Sequence, residues 1–164
     1  MQNPANETVK YPFTAYNFSV EISVDDVSQQ VCSASFSECD GLEMTMEVKT
    51  IREGGNNGQQ IRLTGPISYG QITLKRGMTE TFDLWNWFDK MLHNVRLRAH
   101  AEVVMLGEDR KTERARFILK NCIPTKLKAP ALNAISGMVA IEELQLTYES
   151  LKLKPASGGG SPGA

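Results

Sequence analysis

Residues 72 to 92 read ITLKRGMTETFDLWNWFDKML, and the two elements encoded there organise the rest of the chain. From Gln71 to Gly77 apolar and polar side chains alternate with the period of a half-buried strand, and Gly77 breaks the pattern. At about 100° per residue, Leu84, Trp85, Trp87, Phe88, Met91, Leu92 and Val95 fall within an arc of roughly 160°. Asp83, Asn86, Asp89, Lys90 and His93 fill the opposite side, so the spacing predicts an amphipathic helix. Thr79 or Thr81 is placed to cap its first turn with a hydroxyl, and Asp83 suits the positive end of the helix dipole. The aromatic stripe reads as a plug closing one face or end of a β-structure, with Leu84, Trp85, Phe88, Met91 and Leu92 as its core residues. The competing reading, a ligand-stacking box, is the rarer use of such spacing.

Working outward, short alternating runs dominate. Phe18, Val20, Ile22 and Val24 alternate with Ser19, Glu21, Ser23 and Asp25. Cys32, Ala34 and Phe36 alternate with Ser33, Ser35 and Ser37, which predicts a second strand with a small hydroxyl-lined face. After a turn at Asp40-Gly41, Met44, Met46 and Val48 oppose Glu43, Thr45, Glu47 and Lys49. Residues 52 to 60, REGGNNGQQ, predict a loop, because glycine and asparagine tolerate positive φ. Ile61 and Leu63 form a short strand that Gly65-Pro66 punctuates. Beyond the helix, Leu97 to Met105 and Arg114 to Lys120 form a hairpin around Gly107 with Arg98, Arg114, Arg116 and Lys120 as a basic edge. Pro124 predicts a strand end or bulge. Val139 and Ile141 lie out of phase with Leu144, Leu146 and Tyr148, which predicts a β-bulge at Glu142-Glu143. Seven or eight strands around one helix define a mainly β chain, an antiparallel sandwich or small barrel. Residues 1–12 read as an N-terminal arm, 13–154 as the β domain and 155–164 as a Gly/Ser/Pro-rich tail.

Composition narrows the function. A chain of 164 residues with 41% hydrophobic content buries a core without metal or disulfide staples. Eighteen basic against nineteen acidic side chains, a net charge of −1, give no general electrostatic reason to bind nucleic acid or an anionic membrane. The three cysteines lack C-x-x-C spacing and no secretory signal opens the chain, so the expectation is synthesis in a reducing cytoplasm. No apolar run approaches the roughly 18 residues of a membrane helix.

Chemistry is sparse. His93 and His100 lack metal-ligand spacing, and the chain has no nucleophile elbow. The Gly-Gly-Asn-Asn-Gly run lacks the Lys-Ser/Thr of a phosphate cradle. Glu142 and Glu143, adjacent on a strand, point to opposite faces. The basic edge lacks the interleaved aromatics of single-strand binders. The sequence therefore predicts no catalytic residue, no cofactor and no metal site.

Phe36-Ser37-Glu38-Cys39-Asp40-Gly41-Leu42, Ile51-Arg52-Glu53-Gly54-Gly55-Asn56-Asn57, Ile72 to Gly77 with Leu84-Trp85-Asn86-Trp87, and Leu132-Asn133-Ala134 before Val139-Ala140-Ile141-Glu142 form an ordered set. Over roughly residues 13 to 151 this set resembles the inner-tube proteins of contractile phage tails and phage-tail-like injection systems. The resemblance implies a β-sandwich protomer with one helix that forms hexameric rings. Neighbouring protomers would contribute strands to an inter-subunit barrel around a channel, and the rings would stack into a tube. It implies adjacent rings, sheath and baseplate or hub proteins as partners, an effector protein or DNA as channel cargo, and assembly into a tail or tail-like particle. It also places a subunit-interface loop over Glu43, Glu47, Lys49, Arg52, Glu53, Gly54, Gly55, Asn56, Asn57 and Gly58. The small polar side chains Ser33, Ser35, Ser37 and Thr45 are the channel-facing candidates, because a channel should be wet and only weakly adhesive.

Two features depart from the family pattern. Leu119-Lys120-Asn121-Cys122-Ile123-Pro124 stands where an aromatic segment with a tryptophan is frequent, and the glycine-rich tail is long. They leave room for a tube-initiator ring joining tube to hub and spike. From a different class, the pattern also fits a monomeric small-ligand-binding β-barrel with the helix as its lid. An enzyme is the weakest reading, since no acid, base and nucleophile can be named.

Overall fold

Alternation builds most of the molecule. The computed structural model describes residues 12–24, 27–52, 54, 55, 58 and 60–156. Among them are β1 (Phe18–Val24), β2 (Val27–Ala34), β3 (Glu38–Asp40), β4 (Met44–Ile51), β5 (Ile61–Tyr69) and β6 (Gln71–Gly77). The helix α1 (Asp83–His93) follows, then β7 (Ala99–Leu106), β8 (Glu113–Lys128), β9 (Ile141–Thr147) and β10 (Ser150–Pro155). All strand pairs are antiparallel. Sheet A runs β2-β1-β7-β8, with β10 on the other side of β8, and sheet B runs β8-β9-β6-β3.

The 16-residue β8 belongs to both sheets, its first part to sheet A and Ile123 to Lys128 to sheet B. It turns the corner at Asn121, which adopts φ 53° and donates its amide to Glu149 at 2.7 Å. A second irregularity lies between Pro124 and Lys126. The expected proline bulge is therefore present, and the strand continues through it. The sheets do not close into a barrel; they face each other across Val20, Ile22, Ile72, Leu74, Ala101, Leu119, Leu144 and Leu146, all fully buried.

The helix closes one end, packing against β2 and β8. Its deepest residues are Leu84 and Trp87, with Trp85, Phe88 and Met91 at intermediate depth. Leu92 is 68% exposed and Val95 lies beyond the helix at 83%, so neither is a core residue. The expected threonine cap is also absent. Phe82 occupies the N-cap at φ 48° with no side-chain cap bond, while Thr79 and Thr81 pair with each other at 2.9 Å.

Four further readings change. Cys32 to Phe36 is not one strand; β2 ends at Ala34, and Phe36 reaches the core from the connection to β3. Gly65-Pro66 does not end β5, because a bulge accommodates both residues opposite Glu47. The β9 ladder to β6 is regular from Ile141 to Thr147, with no bulge at Glu142-Glu143. Glu142 belongs to the buried phase with Leu144, Leu146 and Tyr148, whereas Val139 and Ile141 are exposed. Strand β10 takes up Pro155 as well, opposite Ala115. The first expected tail residue is thus sheet.

A buried ion cluster explains the charge in that phase. Arg76 Nε donates to Glu142 Oε1 at 2.7 Å, and its guanidinium also binds Asp83 and lies 3.0 Å from Cys32 Sγ. Trp85 donates its indole N–H to Glu142 Oε2 at 3.0 Å, and the Phe36 ring lies 5.6 Å from the guanidinium carbon. Burial works to raise the Asp83 carboxyl, but hydrogen bonding and charge from Arg76, with hydrogen bonds from Cys32 and the Leu84 N–H, together outweigh it and hold the group below its ordinary range. One cluster thus joins β2, β6, β9 and the helix start.

Candidate assembly interface

Strands β4 and β5 pair with each other and with no other strand among the described residues. They nevertheless continue sheet B. Asp40 pairs with Thr73 and Met44 with Tyr69, which is one unbroken antiparallel offset, so β3-β4 and β5-β6 form one long ribbon. Two glycines let its strands approach where the ribbon leaves the sandwich. Gly41, at φ 94°, would place a Cβ 2.0 Å from the Gln71 carbonyl oxygen, and Gly70 would place one 2.4 Å from Glu43 Cγ.

Tyr148 pins this junction. Its hydroxyl accepts from the Glu43 N–H at 3.0 Å and has the carbonyl oxygens of Gly41 and Glu43 each at 2.9 Å as acceptors. Its ring packs on Tyr69 with centroids 5.8 Å apart. Tyr148→Phe should leave the Glu43 amide without this partner, at a cost of about 1–3 kcal/mol. Hydrogen exchange checks this: exchange should speed up at Glu43 and Gly70 and hardly change in β1 and β7. Equal acceleration everywhere would mean that the hydroxyl supports the whole sandwich.

Beyond the junction the ribbon has no core behind it. Met44, Met46, Val48, Ile51, Ile61, Leu63 and Ile67 are each between 43% and 59% exposed. A lone two-stranded hairpin is marginal in water, and its free edges invite pairing with another chain. The alternation that marks a buried face is present here, but the cover is not in this chain.

The residues expected in the interface loop are spread along this arm. Glu43 lies at its base, Glu47 and Lys49 along it, and Arg52, Gly54, Gly55 and Gly58 near the tip, all exposed. Glu53, Asn56 and Asn57 lie outside the described residues. The channel candidates come from three places in the chain. Ser33 pairs opposite Glu21 in sheet A, Ser35 lies between β2 and β3, Ser37 donates to the Lys75 carbonyl at 3.0 Å, and Thr45 is on the arm. Reading the sequence for hairpins also missed Tyr148, whose place in an apolar phase looks like ordinary core. It missed the segment after β8 as well, where Leu132, Ile135, Met138 and Val139 are all more than 75% exposed.

Reactive chemistry is muted. Burial pushes the Cys32 and Cys122 thiols up to about 12 and Cys39 up to about 11, so they stay protonated near neutrality. Among the described residues no group of three or more His, Cys, Asp or Glu side chains could hold a metal ion. The basic edge is internally paired at Arg116, which binds Glu102 and Glu113. Clefts of about 540 and 500 Å³ lie at the β7-β8 turn and beside the end of β10. No helix residue lines either of these two.

A sandwich that extends an uncovered apolar ribbon from one sheet is built as an assembly subunit. The chain belongs to the family described as T4-like virus tail tube protein gp19, which matches residues 14–152. No curated protein sequence matches it. Solved structures share the fold, three of them as follows. One is a chain of the six-fold symmetrised baseplate of the anti-feeding prophage, at TM-score 0.78 and 24% identity, covering 90% of this chain and 99% of that one. Another comes from the sheath-tube complex of the PVC extracellular contractile injection system in its extended state, at 0.77 and 21%, covering 90% and 95%. The third is from the anti-feeding prophage tube-terminating cap, at 0.72 and 20%, covering 93% and 97%.

Proposed function

We propose that this tail tube protein is the structural subunit of the inner tube of a contractile injection system or phage tail. Six copies form a ring, the rings stack around a channel, and sheath and baseplate proteins surround the stack. Cargo, an effector protein or DNA, passes along the channel, and the chain itself catalyses nothing. The observation that carries this reading is the arm, whose apolar side chains stand clear of the sandwich and need another chain to cover them. Rings also supply partners for open sheet edges. A second reading, the tube-initiator ring, draws on the likeness to a chain of a baseplate structure. Copy number per particle separates the two.

Native mass spectrometry and electron microscopy of the purified chain test the proposal. Sixfold rings with an axial hole should accumulate as concentration rises, and a persistent monomer would overturn it. Deleting Gly54 to Gly58 should leave the unfolding midpoint unchanged, because a Cβ at Gly54 or Gly55 would meet no atom within 4 Å. The same deletion should impair stacking or ring closure. Unimpaired assembly would show the loop to be a bystander.

A further inference from the structure

Of the seven methionines, Met44 and Met46 stand on the arm. They lie two positions apart on β4, so their side chains share one face of the ribbon. Register sets Met44 opposite Tyr69 and Met46 opposite Ile67, which brings all four to that face. The two thioethers are 58% and 48% exposed. Tyr69 packs on Tyr148 at the junction, so Met44 stands where the ribbon leaves the sandwich.

The other sulfur atoms are guarded or lie elsewhere. Cys32 and Cys122 are buried and Cys39 is half-buried. Burial also keeps these thiols protonated, whereas the thiolate is the form that peroxides oxidise. A thioether has no proton to lose, so access alone governs its reaction. Met91 and Met105 are half-buried. Met138 is more open but lies beyond the opposite end of β6. There the Met78 N–H donates to the Ala140 carbonyl, whereas the arm joins β6 at Gln71.

We propose that Met44 and Met46 form an oxidation-sensitive assembly site: a hydroperoxide converts them to sulfoxides in the free chain, and the modified arm no longer docks. This rests on the ring reading above, in which another copy covers the arm. In the step, a sulfur lone pair attacks one peroxide oxygen, an S–O bond forms and the O–O bond breaks. The sulfur loses two electrons and the peroxide gains them. The proton on the attacked oxygen passes to the departing one, which leaves as water or an alcohol. The product carries a polar S–O group where docking requires an apolar contact. Covered without a donor, each such group opposes association. Once the arm is covered the thioethers are screened, so the site acts on free subunits and not on finished tubes. Reductases return the sulfoxide to thioether, which makes the block reversible.

Hydrogen peroxide is the probe, applied to the full chain while it is dilute and free. Peptide mass spectrometry should place one added oxygen on each of Met44 and Met46. After concentration, the ring and stack species in native mass spectrometry should fall about tenfold or more against untreated chain, with circular dichroism unchanged. Methionine sulfoxide reductases, one for each sulfoxide epimer, should restore them. Met44→Leu/Met46→Leu conserves volume and should assemble with or without peroxide, whereas Met138→Leu should stay sensitive. Normal assembly of wild-type chain oxidised at both positions would overturn the proposal, as would equal inhibition of the double leucine variant. If untreated wild-type chain forms no rings, the tube reading itself falls, and that outcome is visible in the control.

Discussion

Replacing Glu142 with alanine should cost the fold about 3–5 kcal/mol, the loss seen when one partner of a buried ion pair is removed. The side chains of Arg76 and Glu142 are 4% and 1% exposed, so little solvent reaches the charge left behind. Glu142 answers two donors, Arg76 Nε and the Trp85 indole N–H, and alanine leaves both without it. Asp83, which is 24% exposed, still binds the guanidinium, but from the helix start and not from β9. The strand and the helix therefore lose their link. Urea unfolding of the monomeric protein measures the effect. The double replacement Arg76→Met/Glu142→Leu should recover most of the loss, since apolar residues of similar volume commonly replace buried pairs with little penalty. A Glu142→Ala cost below about 1 kcal/mol would mean that water already reaches the cluster.

The same residue shows where reading the sequence succeeds and where it stops. Alternation identified β1 at its observed bounds, because apolar side chains carry that signal directly. It failed at Glu142 because a rule that counts only apolar side chains as buried assigns a carboxylate to water. The shift between Ile141 and Leu144 then had to be explained by a bulge. Once Arg76 is recognised in phase with Ile72 and Leu74, two opposite charges on buried faces account for the pattern with a regular ladder. That pairing was available in principle, but only to a reader who already knew that β6 lies beside β9.

The arm marks a different limit. Met44, Met46 and Val48 alternate as well as Val20 and Ile22 do, and alternation correctly announces a strand face that wants cover. It does not say in which molecule the cover lies. The resemblance to tube proteins pointed to another subunit, whereas the residues alone also left room for a ligand barrel. Likewise, Ser33, Ser35 and Ser37 share a parity in the sequence, but β2 ends at Ala34, so a single strand does not carry all three.

Trp87→Ala should be the other large destabilisation, again about 3–5 kcal/mol, because a fully buried aromatic side chain leaves a cavity that its neighbours fill poorly. Trp87 is 1% exposed and belongs to the continuous core with Leu84, Leu119 and Cys122. Trp85, two positions earlier, is only half-buried and contributes chiefly through its bond to Glu142. Trp85→Phe should therefore cost about 1.5–3 kcal/mol, the range for a hydrogen bond to a charged group. Shape and hydrogen bonding separate at these two positions. The Trp87 indole N–H is buried with no acceptor among the described residues, so Trp87→Phe removes an unmet donor along with some volume and should cost well under Trp87→Ala. Leu92→Ser, on the exposed last turn, should change stability by no more than about 0.5 kcal/mol. Chemical denaturation of the four variants gives the order Trp87→Ala, Trp85→Phe, then Leu92→Ser, with Trp87→Phe below Trp87→Ala. If Trp85→Phe cost more than Trp87→Ala, the helix would have to be rotated so that Trp85 fills the core and Glu142 loses its second donor.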